Sequence, residues 1–301
     1  MASTRLPKGS YVASLTPLQS NLTADVELLV QHCKSLLAAG AQGIALLGTT
    51  GEATSFTVEE RKTIMSDIIG RGIPADKILV GTGCCSYGDT IDLTRHALKC
   101  GISNILMLPP YYYKQVDDTG LFNYFEKIVN EVADEQLQVY LYHIPKLTGV
   151  NISMALLENL LGKFPDIFVG MKDSGGDLEH MTSVLDHFPG FRLFAGTEKY
   201  LLDVLRYGGA GSISATANVT VQLCHEVFTK RNDPAADRLQ EKLSALRACF
   251  DGLPFTSVLK QYLARVNNDA RWLNVRPPNS LVEMSGIEAL IKSIDQINKT
   301  A

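Results

Sequence analysis

The sequence lacks the features that mark membrane, secreted and nucleic-acid-binding proteins. No apolar run approaches the roughly 18 residues that a membrane-spanning helix needs. The first ten residues are polar and include a proline, so they lack the apolar centre of a signal peptide. The net charge is −4 and the lysines and arginines are not clustered, which argues against binding to nucleic acid or to an anionic membrane. These absences predict a cytoplasmic protein whose partners are small molecules.

Metal-binding and disulfide patterns are also absent. Six cysteines are present, but none of them forms a C-x-x-C pair and no paired histidines complete a zinc site. Cys84 and Cys85 are adjacent, but neighbours in a strand point to opposite faces, so a shared metal or redox role is disfavoured. We therefore predict free thiols and no bound metal.

What the chain does contain is a repeated alternation of short apolar segments and amphipathic helices. The segments expected to be strands are residues 11–15, 43–47, 78–80, 104–108, 139–142, 167–172, 192–195 and 211–214. Because no Pro/Gly/Ser linker interrupts them, they predict an α/β fold of the parallel (β/α)8 type, a TIM barrel, over residues 1–219. A doubly wound sheet is the alternative. From about residue 220 only helical patterns remain, so residues 220–301 are predicted to be a C-terminal helical extension packed on the barrel.

The sixth apolar segment ends in a lysine. Residues 168–174 read Phe-Val-Gly-Met-Lys-Asp-Ser, which predicts a buried strand with Lys172 at its carboxyl end. Desolvation favours the neutral amine, and a neutral amine can attack a ketone to form a Schiff base. The alternative is a lysine whose stem packs on apolar neighbours while its ammonium reaches water.

Active sites of (β/α)8 barrels lie at the carboxyl ends of the strands, so the residues that end the other strands are candidates too. The turn Gly48-Thr49-Thr50-Gly51 could hold a carboxylate with backbone N–H groups and two hydroxyls, or it could simply be a tight turn. Tyr142 could relay protons beside the lysine, or it could be a tyrosine at the rim. Alternation turns His143 away from the face of Tyr142, which favours a structural or interface role for that histidine.

In combination, the motifs resemble a known family. They occur in the order Gly48-Thr49-Thr50-Gly51-Glu52, Pro110-Tyr111-Tyr112, Tyr142-x-x-Pro145, Gly170-x-Lys172-Asp173-Ser174 and Gly211-Ser212-Ile213-Ser214-Ala215-Thr216-Ala217-Asn218, with Asn274-Val275-Arg276-Pro277-Pro278 near the end. This pattern resembles the dihydrodipicolinate synthase and N-acetylneuraminate lyase family over nearly the whole chain. Its members are pyruvate-dependent Schiff-base aldolases on a (β/α)8 barrel, usually homotetramers.

The resemblance implies a role for each matching residue. Lys172 would form the Schiff base, Tyr142 would be the acid/base phenol, Thr49 would link the proton relay and Tyr112 would complete that relay in a neighbouring subunit. The candidate substrate-binding residues are Thr50, Gly48, Ile213, Ser174, Glu198, Gly196 and Leu147. No metal or organic cofactor is expected, because the pyruvyl group is held covalently on the lysine. The expected partners are a 2-keto acid and an aldehyde.

The second substrate is less well defined by the motifs. The synthase branch places an arginine where this chain has Leu147, and that arginine clamps the carboxylate of aspartate semialdehyde. The sialic-acid lyase branch carries two acidic residues after the seventh strand, where this chain has only Glu198. We therefore predict aldol cleavage of a 2-keto-3-deoxy sugar acid or a related hydroxylated 2-keto acid.

Other functions stay open at this level. Within the family, the alternatives are 4-hydroxy-tetrahydrodipicolinate synthase and N-acetylneuraminate lyase. A different class would be a non-catalytic barrel that binds a keto acid. A metal-dependent aldolase would need a cluster of His, Asp and Glu at the strand ends, and the sequence shows no such cluster.

Overall fold

A computed structural model describes residues 5–299, in which eight parallel strands close into a barrel. Each strand pairs with the next, and the last pairs with the first. The strands are β1 (Gly9–Ala13), β2 (Gly43–Leu46), β3 (Ile78–Gly81), β4 (Asn104–Met107), β5 (Gln138–His143), β6 (Phe168–Asp173), β7 (Arg192–Ala195) and β8 (Gly211–Ser214). The predicted TIM barrel is confirmed and the doubly wound sheet is wrong. The first strand begins two residues earlier than predicted.

Helices surround the barrel in the predicted alternation. The barrel helices are α1 (Val26–Ala38), α2 (Val58–Gly70), α3 (Tyr87–Lys99), α4 (Asp118–Val132), α5 (Pro145–Thr148), α6 (Met154–Lys163), α7 (Leu178–His187), α8 (Leu201–Arg206) and α9 (Ala217–Thr229). The extension contains α10 (Ala236–Ala248), α11 (Phe255–Val266) and α12 (Met284–Lys299). Short 3-10 turns lie at Ala53–Ser55, Ala75–Lys77, Glu198–Tyr200 and Ala270–Leu273. Within residues 5–299, none of these helices is long and apolar enough to cross a membrane.

The boundary predicted between residues 219 and 220 falls inside helix α9. This helix follows β8 and packs against β1 and α8, so it is the eighth helix of the barrel. The extension therefore begins after Thr229. It packs on the barrel through an apolar cluster that joins Phe250 and Leu259 to Leu15 and Leu28.

Alternation along the strands separates two apolar cores. Side chains such as Leu141 and Met171 face the surrounding helices, whereas Tyr140 fills the barrel interior. Gly170 is required beside that ring, because a Cβ there would lie 2.5 Å from Tyr140 and 2.4 Å from a backbone oxygen. The Tyr140 hydroxyl accepts a hydrogen bond from the N–H of Leu6 at 2.8 Å and so helps to close the amino end of the barrel. The inward-facing residues that follow on β5 and β6, Tyr142 and Lys172, lie at the carboxyl ends of the strands, where the barrel is open.

Candidate active site

A cavity of about 690 Å³ lies at the carboxyl ends of the strands. One wall comes from the barrel loops, and the other from α10 and the beginning of α11, between Ser244 and Thr256. The volume falls within the range of small-molecule sites, roughly 300–1,000 Å³. Seven of the predicted site residues line this cavity, namely Thr49, Thr50, Tyr142, Leu147, Lys172, Ser174 and Gly196.

Lys172 and Tyr142 lie side by side at one end of this cavity. They are paired in register on β6 and β5, so their side chains emerge on the same inward face. Lys172 is 5% exposed and Tyr142 is 3% exposed. The Lys172 Nζ lies 4.3 Å from the centre of the Tyr142 ring. The amine is thus held against a phenol in a site with little access to bulk water.

The Tyr142 hydroxyl is surrounded by polar groups that stabilise its ionised form. Burial alone would raise the pKa of Tyr142, but the positive charge of Lys172 and hydrogen bonds to Lys172, Thr49 and Ser174 outweigh that effect. The net result is a pKa below the ordinary value for tyrosine. A phenol that releases its proton more easily is suited to move protons between the lysine and a substrate.

The loop that carries Thr49 and Thr50 is anchored by a residue whose importance the sequence interpretation missed. Glu52 has a left-handed backbone, with φ of 57°, and its buried carboxylate forms an ion pair with Lys260 of α11. The same carboxylate accepts a hydrogen bond from the N–H of Arg276 at 2.9 Å. The extension and the closing Asn-Val-Arg-Pro-Pro motif therefore fix the position of the threonine loop.

Ser174 and Gly196 fit together beside the lysine. A Cβ at Gly196 would lie 2.0 Å from the Oγ of Ser174, so only glycine leaves room for that hydroxyl. The N–H of Gly196 also donates to the backbone oxygen of Asp173 at 2.6 Å. The two loops after β6 and β7 are thereby held in contact, with Ser174 at the cavity wall.

Four predicted site residues do not line the main cavity. Gly48 lines a smaller neighbouring space together with Thr49 and Tyr142. Ile213 is fully buried in the barrel interior. Tyr112 is 74% exposed on the loop after β4.

Glu198 is the fourth, and its position changes its expected role. It is fully buried, and its carboxylate accepts hydrogen bonds from Ser214 at 2.5 Å, Thr216 at 2.6 Å and Thr220 at 3.0 Å. Direct binding of substrate hydroxyls would require these partners to be displaced. Its outermost contact is instead with Arg247 of α10, whose Nε lies 3.8 Å from the carboxylate.

One potential metal-binding group was missed because its members come from different elements. His143, Asp173 and His180 place ligand atoms within 4.8 Å of one another, so the expectation that no such cluster exists at the strand ends is wrong. His143 and Asp173 are outward-facing ends of β5 and β6, and His180 lies on α7. None of the three lines the cavity. They therefore do not provide a metal to the lysine.

The His143–Asp173–His180 group is held together by protein contacts. Asp173 bonds to the Nδ1 of His180 at 2.6 Å, and the two imidazole rings stack at 4.9 Å. The hydrogen bond to Asp173 raises the pKa of His180, whereas burial lowers the pKa of His143. The N–H of Ile152 points at the Nδ1 of His143 at 3.3 Å. This supports the predicted structural role of His143.

The extension contributes cavity residues that the sequence interpretation did not identify. Arg247 lies four residues after Leu243, which places it near the buried apolar side of α10. A charged residue near the apolar side of a helix is the sequence feature that could have identified Arg247 as a site residue. Lys146 of α5 and Lys199 of the 3-10 turn after β7 also line the cavity.

A buried lysine and phenol at the open end of a (β/α)8 barrel, with a hydroxyl-bearing loop beside them, define the site of a Schiff-base lyase. The profile of the Dihydrodipicolinate synthetase family matches residues 6–297. The chain therefore belongs to this family, as the motifs predicted, and it is a lyase whose class joins a lysine covalently to pyruvate without a metal.

Individual relatives agree with this assignment. A DapA-like lyase of Chloroflexus aurantiacus, itself uncharacterized, is 36% identical and the match covers 85% of this chain and 86% of that protein. YagE of Escherichia coli, a putative 2-dehydro-3-deoxy-D-gluconate aldolase, is 30% identical over 90% and 91% of the two chains. The crystal structure of dihydrodipicolinate synthase from Agrobacterium tumefaciens superposes with a TM-score of 0.89 at 29% identity, covering 96% of this chain and 99% of the other.

Proposed function

We propose that Lys172 is the nucleophile of this lyase and that Tyr142 moves the protons of the reaction. The observation that carries the proposal is the contact between the Lys172 Nζ and the Tyr142 ring at 4.3 Å, with Lys172, Thr49 and Ser174 acting together to lower the pKa of Tyr142. This arrangement supplies an amine, a phenol of lowered pKa and an adjacent hydroxyl in one poorly hydrated place. Correct positioning of the reacting groups alone can contribute up to roughly 7–11 kcal/mol.

The proposed steps follow from these groups. The amine of Lys172 adds to the C2 ketone, and loss of water gives an iminium ion. Tyr142 as phenolate takes the proton of the C4 hydroxyl while the C3–C4 bond breaks, and the bond electrons move onto the iminium as an enamine. The aldehyde leaves. The enamine then takes a proton at C3, and water hydrolyses the imine to release pyruvate and the free lysine.

Thr49 and Thr50 are proposed to hold the carboxylate of the keto acid, Thr49 at the same time linking the proton relay. Thr50 is buried and Thr49 is exposed at the cavity, on a loop that the buried Glu52 keeps in place. Gly48 and the backbone of Ile213 are proposed to make further contacts with the carboxylate end of the keto acid.

Tyr112 is proposed to act from a neighbouring copy of the chain. It is 74% exposed and packs edge-on against Tyr113, which is 73% exposed. Two large aromatic side chains exposed together favour a protein interface. A homotetramer is therefore part of the proposal, and a cytoplasmic location stays a prediction from the sequence.

The proposed substrate is a hydroxylated 2-keto acid of the 2-keto-3-deoxy sugar acid type. Leu147 lines the cavity at the position where the synthase branch carries its arginine, and leucine cannot form a bidentate pair with the carboxylate of aspartate semialdehyde. Thr197 and Ser214 line the same cavity, although the Ser214 hydroxyl donates to Glu198. The similarity to the aldolase YagE supports this choice. Synthase relatives at about 33% identity keep condensation with the semialdehyde as the second candidate.

The decisive experiment traps the imine and then compares substrates. Incubation with pyruvate and borohydride should add a reduced pyruvyl group, and peptide mapping should place it on Lys172. Formation of the same adduct in Lys172→Ala would refute the assignment. Pyruvate release from 2-keto-3-deoxygluconate, 4-hydroxy-2-oxoglutarate and N-acetylneuraminate is then measured beside condensation with aspartate semialdehyde. Condensation faster than every cleavage would establish the synthase instead.

A further inference from the structure

The lining of the cavity as a whole carries an excess of positive charge that the proposed chemistry does not use. Besides Lys172, the lining includes Lys146, Lys199 and Arg247, against a single acid, Asp251. The keto acid carboxylate has its proposed partners in the threonine loop. A neutral polyol needs hydroxyl partners and no cations. The additional charge therefore indicates a second negative group on the substrate.

Arg247 is the member of this group that the protein holds in place. Its side chain is only 17% exposed, and its guanidinium lies 4.6 Å from the centre of the Phe255 ring. Its Nη1 donates to Asp251 at 2.5 Å, and its Nε lies 3.8 Å from Glu198. Among residues 5–299, its Nη2 donates no hydrogen bond to a protein acceptor. A preorganised guanidinium with a spare donor is suited to bind a carboxylate or phosphate.

The buried Glu198 explains how Arg247 keeps this position. Three hydroxyls fix the Glu198 carboxylate, as described above, and Gln240 of α10 donates to the Glu198 backbone oxygen at 2.9 Å. The contact joins the loop after β7 to the helix that carries the arginine. Glu198 is therefore a positioning residue for Arg247, in place of the direct substrate contact expected from the sequence.

We propose that Arg247 is a specificity-determining residue that binds an anionic group at the end of the substrate remote from the keto acid. This inference rests on the proposed function and narrows its substrate class. The preferred substrates are hydroxylated 2-keto acids with a second terminal carboxylate, or with a terminal phosphate ester. Cleavage would leave pyruvate on Lys172 and release an aldehyde that carries the second negative charge.

The test uses two keto acids of equal chain length as competitors of pyruvate. 2-Oxoglutarate ends in a carboxylate and 2-oxopentanoate ends in a methyl group, and each reduces borohydride trapping of pyruvate by occupying the lysine. The wild-type protein should prefer 2-oxoglutarate by on the order of 10-fold or more, because a charge-assisted pair is formed with only one of them. In Arg247→Met the preference should fall to within about threefold. Arg238→Met is the matched control, since Arg238 lies on the same helix outside the cavity.

Three results would overturn the inference. The first is equal affinity of the two competitors for the wild-type protein. The second is a preference that survives in Arg247→Met. The third is a loss of pyruvate trapping in Arg247→Met that is as large as the loss of competition by 2-oxoglutarate. That result would mean that Arg247 attracts any keto acid. If wild-type protein traps no pyruvate at all, the proposed function itself fails, and that outcome is distinct from these three.

Cleavage assays identify the anion and test the positioning role of Glu198. Faster release of pyruvate from 4-hydroxy-2-oxoglutarate than from 2-keto-3-deoxy-6-phosphogluconate would assign a carboxylate, and the reverse would assign a phosphate. Glu198→Gln should raise KM for the preferred anionic substrate while leaving kcat and pyruvate trapping within about threefold of wild type. Equal changes in kcat and KM would contradict a positioning role.

Discussion

The ion pair between Glu52 and Lys260 offers a quantitative test of how the extension supports the site. Both side chains are fully buried, and Lys260 also donates to the backbone oxygen of Asn274 at 2.9 Å. Burial lowers the pKa of Lys260, and the nearby Glu52 acts in the opposite direction. Each charge therefore depends on the other for compensation.

Removal of one partner should be costly. In Lys260→Met or Glu52→Gln, the remaining charge is buried without its counter-ion, so the free energy of unfolding should fall by about 3–5 kcal/mol. For a chain of this size, that loss corresponds to a decrease in Tm of roughly 6–10 °C. The double variant removes both charges and should recover most of the loss, because a buried ion pair contributes little beyond well-packed neutral groups.

The assay is denaturant and thermal unfolding of the four proteins as a double-mutant cycle. Lys127→Met is a suitable control, since Lys127 pairs with Glu131 at 3.3 Å on the surface and both side chains are about half-exposed. The coupling energy between Glu52 and Lys260 should reach about 2 kcal/mol or more. The reasoning would be refuted if the two single variants had additive effects on the free energy of unfolding. It would also be refuted if Lys260→Met lost no more of that free energy than Lys127→Met. The pyruvate concentration needed for half-maximal borohydride trapping should rise in both single variants, because they release the threonine loop.

The remaining predictions concern the relay, the assembly and pH. Tyr142→Phe should lower kcat by roughly 100-fold or more, the contribution of a positioned acid/base, and steady-state kinetics with an unchanged kcat would eliminate the relay. Inactive Tyr112→Phe and inactive Lys172→Ala subunits, once mixed and exchanged, should regain some activity as hybrids; a complete lack of rescue would mean that each site is self-contained. The raised pKa of His180, caused first by its hydrogen bond to Asp173, adds stability below the unfolded value of about 6.5 that is lost as pH rises through the folded pKa. The destabilisation in His180→Gln should therefore be larger at pH 6 than at pH 8.5 by chemical denaturation, and an equal effect at both pH values would contradict this.

The barrel could be predicted from the sequence because its signals are local and repeated. Apolar segments such as residues 104–108 lie within a residue or two of the observed strands, and Thr57 forms the capping box that its spacing with Glu60 predicts. The end of the barrel was harder to place. Helix α9 has the same amphipathic pattern as the helices of the extension, and only its packing on β1 shows that it completes the barrel.

Residues that end strands could be assigned to the site because the fold converts chain position into geometry. The strand ends made Lys172 and Tyr142 candidates, and the resemblance of the combined motifs to the family gave them their expected roles. Glu198 was expected to contact the substrate, but its position after β7 does not show that a 3-10 turn directs its carboxylate toward Ser214 and Thr216. The cluster around His143 was missed because a helix from another part of the chain supplies one member.

The division between the two halves of the cavity has a physical reason. In the proposed mechanism, the barrel side holds an amine, a phenol and a carboxylate-binding loop at fixed separations, and the closed strand pairing provides that rigidity. In the proposed reaction, the extension faces the end of the substrate remote from the keto acid, and its side of the cavity is formed by α10 and the beginning of α11 instead of by strands. Glu52 and Arg247 show how the two sides are joined. Glu52 ties the threonine loop to Lys260 of α11. Arg247 projects from α10, and the carboxylate of Glu198 after β7 lies beside it. If Arg247 binds the substrate as proposed, substitutions on α10 should change the preferred aldehyde while Lys172 and Tyr142 keep the same reaction.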